Sequence, residues 1–138
     1  MAGQVIQLAG KTQYDGSKVQ GSQNQAFLVA ERIDVSQYRE ANLVVRYHEG
    51  TIGASATVTV GATAEGHTAE DPGLTFRTDP ASPLAEVSLT SNDSAPLLKI
   101  ADVTSPFGSM LSVFVLIEQP ASPVTVQPSL SIDLVLKE

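Results

Sequence analysis

From Ala54 to Ala62, and again from Ser129 to Lys137, the side chains change character one residue at a time. Val58 and Val60 interleave with Thr57 and Thr59, and Leu130, Ile132, Leu134 and Leu136 interleave with Ser129, Ser131 and Asp133, with only Val135 out of step. A period of two becomes one buried and one wet face only in an extended strand. No window carries an apolar period near 3.6, and 8 prolines and 10 glycines spread along 138 residues interrupt any long helix. The chain therefore has to build its core from strands.

Further strand candidates are Val5 to Leu8, Ala26 to Ala30 running on through Ile33 and Val35, Asn42 to His48, Leu84 to Thr90, Leu97 to Ala101 and Met110 to Glu118. Turn-forming groups separate them, among them Asp15-Gly16-Ser17, Glu49-Gly50, Asp71-Pro72-Gly73, Ser91-Asn92-Asp93-Ser94 and Pro120 through Pro123. Ser36 to Glu40 reads as a turn between two strands, with one short helix as the alternative. About eight antiparallel strands in one domain of this size imply a two-sheet β-sandwich. Residues 1–25 are polar, rich in glutamine and short of apolar anchors after Leu8, which sets them apart as an arm or a first hairpin before a sandwich domain at 26–138.

Charge and composition exclude several functions. A net charge of −7, with the 8 Lys and Arg in no run, repels phosphate backbones and argues against nucleic acid as a partner. The chain has no cysteine, hence no disulfide framework, thiolate nucleophile or cysteine zinc site. The first residues lack the basic and apolar regions of a signal peptide, and the longest apolar run, Val113 to Ile117, falls far short of the roughly 20 residues that span a bilayer.

Few residues stand in arrangements that carry chemistry. His48 and His67 are the only imidazole bases, and neither stands in a nucleophile, phosphate-loop, dinucleotide or metalloprotease motif. Both read as exposed loop or strand-end residues. The loop Glu65 to Gly73 gathers three carboxylates and His67 at a spacing that fits no ligand loop, and Ser91 to Ser94 reads as hairpin chemistry rather than a calcium site. No catalytic, cofactor or metal residues are expected, and the chain is not expected to be an enzyme. A sugar-binding module is the competing idea for a small sandwich. Such sites stack sugar rings on flat aromatics, and this chain has no tryptophan and only Tyr14, Tyr38 and Tyr47 among its tyrosines.

One strand departs from the alternating pattern. Leu111, Val113, Val115 and Ile117 fall on one face of Met110 to Glu118, and Met110, Phe114 and Leu116 on the other. A strand apolar on both sides needs two coverings, either from its own chain or with one from another subunit. Met110, Leu111, Val113, Phe114, Val115, Leu116 and Ile117 are accordingly the candidate partner-binding residues.

The segments Ile33-Asp-Val-Ser-Gln-Tyr-Arg-Glu-Ala-Asn-Leu-Val-Val-Arg-Tyr-His-Glu-Gly, Ala54-Ser-Ala-Thr-Val-Thr-Val and Ser129-Leu-Ser-Ile-Asp-Leu-Val-Leu-Lys resemble small jelly-roll proteins of tailed-phage and phage-like particles. The resemblance runs in outline from Ile33 to Lys137 and carries no site residues across. It implies a jelly-roll-like sandwich acting as a capsid decoration, cement or tail accessory protein. Such a protein is assembled in several copies on other protein subunits of a virion, without cofactors.

Overall fold

The computed structural model describes residues 3–16, 24–64, 83–103, 110–122 and 124–138. Eight strands run through them: β1 (Gln4–Gln13), β2 (Gln25–Asp34), β3 (Glu40–Glu49), β4 (Thr57–Ala64), β5 (Ala85–Leu89), β6 (Leu97–Asp102), β7 (Met110–Glu118) and β8 (Ser129–Lys137). They form two four-stranded antiparallel sheets, ordered β1-β8-β3-β6 and β2-β7-β4-β5. The chain is therefore an all-β sandwich. In this order the strands pair as nested couples, first with last, second with seventh, third with sixth and fourth with fifth. That nesting is a long antiparallel ribbon wound on itself, the jelly roll.

The alternation seen in the sequence decides which side of each strand closes the sandwich. Leu43 and Val45 of β3 stand in register with Leu134 and Ile132 of β8, and Val58 and Val60 of β4 with Ile117 and Val115 of β7. All eight are buried, and they fill the space between the sheets. Two polar ties fasten the periphery. Lys99 on β6 donates from Nζ to the Ser88 carbonyl of β5 at 2.9 Å, bridging the two sheets along their open side. Gln119, just past β7, donates from Nε2 to the carbonyls of Gly16 and Val124 (3.2 and 3.1 Å) and accepts from the Val124 amide at 3.1 Å.

The described part of the segment expected as an arm or first hairpin, residues 3–16, lies in the sandwich. Its β1 pairs with the last strand and not with β2, so the first sheet includes residues on both sides of the expected boundary at 25/26. Ser36 and Gln37 form a turn, closed by the Tyr38 amide on the Val35 carbonyl at 3.0 Å and by Asp34 Oδ1, which accepts from the Ser36 amide and hydroxyl.

Two local features lead to expected outcomes. The Ala56 amide donates to the Gly53 carbonyl, and Ser55 between them has φ +70°, the third position of a type II turn that favours glycine. Ser55→Gly is expected to raise stability by about 0.5–1 kcal/mol in urea denaturation, since the left-handed cost to a side chain is removed. Asp93 accepts from the Thr90 amide (2.9 Å) and pairs with Lys99 (3.2 Å), which together hold its carboxyl below the usual aspartate range. A depressed folded pKa adds stability that is present above the unfolded value near 3.8 and is lost as pH falls through the folded value. Between neutral pH and pH 3 the wild type should therefore lose more stability than Asp93→Asn, read as the melting-temperature difference across that range.

Candidate interaction surfaces

On the outer face of the first sheet, the register lays three rows across the strands. Val5, Val135, Asn42 and Asp102 make the first, Gln7, Asp133, Val44 and Ile100 the second, and Ser131, Arg46 and Leu98 the third. The apolar members descend diagonally, from Val5 and Val135 through Val44 and Ile100 to Leu98. Val5 is 64% exposed, Ile100 59% and Leu98 46%, so among the described residues this band is left open, with Val44 and Val135 half-buried within it. Fully burying a side chain of this kind is worth about 1.5–3 kcal/mol, which makes the band a surface that gains from contact.

Polar groups frame the band. At one end a shallow pocket of about 270 Å³ is lined by Arg46, Tyr47, His48, Pro96, Leu97 and Leu98. His48 Nε2 lies 2.8 Å from the Ser131 hydroxyl, a pairing of strands β3 and β8 that holds the ring against the sheet. At the other end Asn42 Nδ2 donates to Asp102 Oδ1, beside a second pocket of about 300 Å³ lined by Arg39, Glu40, Ala41, Asn42, Asp102, Val103 and Lys137.

The outer face of the second sheet is different. Phe114 is 1% exposed, and its ring lies over Gly61 of the neighbouring strand, where a Cβ would stand 2.4 Å from Cζ. Thr59, Thr63 and Ser112 are buried on the same face, and Thr63 Oγ1 and Ser112 Oγ, cross-strand neighbours, have no hydrogen-bond partner.

Of the candidate partner-binding residues, Leu111, Val113, Val115 and Ile117 are fully buried toward the core and Phe114 is buried on the opposite side. Within the single chain β7 thus has cover on both faces. Of those seven residues a docking molecule would meet only Met110 and Leu116, which are half-buried. Beside Phe114, Leu28 of β2 is exposed on the second sheet, and the wider apolar band lies on β1, β8, β3 and β6. Its signals in the sequence were Val135, the residue out of step in β8, and the pair Leu98 and Ile100 in β6.

The other candidates divide. His67 and the acidic loop 65–73 lie outside the described residues. Asp93 of the turn Ser91 to Ser94 is occupied by Thr90 and Lys99, and no group of three His, Cys, Asp or Glu gathers among the described residues. Tyr14 and Tyr47 are buried: Tyr14 packs edge-on against Phe27 at 5.5 Å, and Tyr47 donates its hydroxyl to the Gly50 carbonyl at 2.9 Å. Burial raises both phenol pKa values, with Thr12 opposing it at Tyr14 and Asp93 adding to it at Tyr47. Tyr38 is half-buried and donates to Gln4 Oε1. No tyrosine offers a fully open ring. No helix among the described residues is long and apolar enough to cross a membrane.

The fold and its faces together define a jelly-roll sandwich whose first sheet carries an apolar band on its outer face. No family model matches the chain, and no curated protein does. Among solved structures it is similar to a chain in the structure of infectious bursal disease virus, Gx strain, with a TM-score of 0.53 at 10% identity. The match covers 97% of this chain and 31% of that one, so this chain spans less than a third of the length of the chain it matches. At that identity the likeness is one of fold.

Proposed function

We propose that the protein is a non-enzymatic structural component of a virus-like particle, such as a capsid decoration, cement or tail accessory protein of a phage, and that it binds a repeated protein surface. The observation that carries the reading is the nested strand order, whose likeness to a chain from a virus structure extends over nearly the whole polypeptide. Jelly rolls also serve as lectin domains, so fold alone does not choose the function. The apolar band favours a protein partner. Sugar recognition calls for open aromatic rings, whereas this face presents Val5, Ile100 and Leu98.

A particle lattice also relaxes the affinity each contact must supply. Four strands about 4.8 Å apart and six residues long present a face of only about 400 Å², near the low end for a specific protein contact. Many weak contacts on a repeated surface add up through effective concentration. The purified protein is expected to co-sediment with particles from the culture that carries its gene, and Leu98→Lys is expected to reduce that binding at least tenfold with an unchanged circular dichroism spectrum. Failure to bind particles, together with specific retention on a glycan array, would replace this reading with the sugar-binding one.

A further inference from the structure

Among the described residues the sandwich has four edge strands, β1 and β6 in the first sheet and β2 and β5 in the second. An edge presents unpaired backbone N–H and C=O groups, and proteins blunt it with bulges, charges or shortness. Three of the four are blunted. The register of β1 breaks between Gln7 and Ala9 and between Ala9 and Thr12, and Lys11 lies in the second break. In β2 it breaks twice as well, the second time around Glu31 and Arg32, where Arg32 takes φ +56°. β5 has five residues, with Glu86 and Ser88 exposed.

β6 is the least blunted among the described residues: it has no register break, and its one exposed charge, Asp102, stands at its end. It keeps an unbroken register with β3 from Asn42↔Asp102 to Tyr47↔Leu97, and its exposed side chains include Leu98 and Ile100. Its lysine is turned inward and engaged, with the Ser88 carbonyl at 2.9 Å and Asp93 at 3.2 Å.

We infer that the free edge of β6 pairs antiparallel with β6 of a second copy, joining the two first sheets into one eight-stranded sheet. Such a contact is isologous, so the edge has to complement itself. A two-fold axis at Lys99 does this. It sets Leu98 beside Ile100 of the second copy and Ile100 beside Leu98, two aliphatic cross-strand pairs that join the apolar bands of both molecules. Each Lys99 that meets its twin at the axis is already neutralised by its own Asp93.

The ends match in charge. The same alignment brings Asp102 of one copy beside Pro96 of the other, next to the pocket formed by Arg46 and His48. Arg46 has no salt bridge among the described residues. From the spacing and rise of strands its Cα lies roughly 12 Å from that of the opposing Asp102, a distance that an extended arginine spans. Within one chain the two lie four residues apart on neighbouring strands, at opposite ends of the band. The pairing depends on the edge alone and stands apart from the virion reading.

The test is sedimentation equilibrium on the full chain with a charge-swap cycle. The wild type is expected to form a dimer at tens of micromolar. Ile100→Lys, Arg46→Glu and Asp102→Arg should each weaken the dimer at least tenfold with circular dichroism unchanged, and Arg46→Glu combined with Asp102→Arg should restore it to within threefold. Amide exchange in β6 should slow as concentration rises through the dissociation constant. A wild-type monomer throughout the millimolar range would overturn the inference. So would a dimer indifferent to all three substitutions, or one that the double swap fails to restore. Loss of particle binding with the dimer intact would strike the virion reading and leave this one standing.

Discussion

Replacing Phe114 with alanine is expected to lower the stability of the isolated chain by about 3–5 kcal/mol, the range for truncating a buried phenylalanine. For a domain with a total of about 5–15 kcal/mol, that takes it close to unfolding at ambient temperature. The ring is buried on the outer side of the second sheet, lies over Gly61, and stands apart from the core cluster between the sheets. The same geometry makes the two positions interdependent. Gly61→Ala places a methyl group 2.4 Å from Cζ and 2.8 Å from Cε1 if nothing moves. Overpacking of this kind costs about 1–3 kcal/mol. In the Phe114→Ala background the ring is gone, and Gly61→Ala should be neutral or stabilising, because alanine has the better strand entropy. A double-mutant cycle by urea denaturation reads the coupling directly. Additive effects would show that the ring does not rest on Gly61. A Phe114→Ala protein that keeps its stability but loses self-association would return β7 to the role of a contact strand.

Much of this fold was legible because burial on one side leaves a period of two in the sequence. β4 alternates cleanly, β3 and β8 do so except at Val44 and Val135, and the structure gives the in-step apolar sets to the core. β7 was legible as a strand, and its two apolar faces did call for two coverings. Which molecule supplies the second covering was not legible, because a sequence does not say that Gly61 will stand beside Phe114 and leave a hollow for the ring.

The first strand is only partly legible, for a different reason. Its register breaks twice in ten residues, so Ile6, Leu8 and Ala9 do not keep one parity, and from Gly10 to Gln13 it is exposed. A bulged edge erases the alternation that identifies a strand. The exposed band was hidden by dispersal: Val5, Val44, Ile100 and Val135 come from four strands and become neighbours only when the order β1-β8-β3-β6 is known. Residue 135 was the visible trace, a valine on the wet side of an otherwise regular strand.

Gln119 offers the other large effect, and one with a sign in pH. Its buried amide satisfies two carbonyls and one amide of the backbone, Gly16 O, Val124 O and Val124 N, and so fastens the end of the first strand's segment to the turn after β7. Gln119→Leu keeps the volume and removes every one of these bonds. A buried polar group left without a partner costs about 1–3 kcal/mol, so the expected loss is about 3 kcal/mol once some groups recover water. For a chain of this length that is a fall of roughly 10 °C in melting temperature. Gln119→Glu separates charge from shape. Its carboxylate can accept from the Val124 amide but cannot donate to either carbonyl, whereas the protonated acid can donate to one of them. Burial beside two carbonyl oxygens favours the neutral form, so the folded pKa is expected to rise above the unfolded value of about 4.3. A raised folded pKa in an acid means stability that is present below the unfolded value and lost as pH climbs through the folded one. Gln119→Glu should therefore melt closer to the wild type at pH 4 than at pH 8, while the deficit of Gln119→Leu should vary little with pH. A Gln119→Glu deficit that is the same at both pH values would mean that the side chain has swung out to water and that the amide is not the tie between these segments.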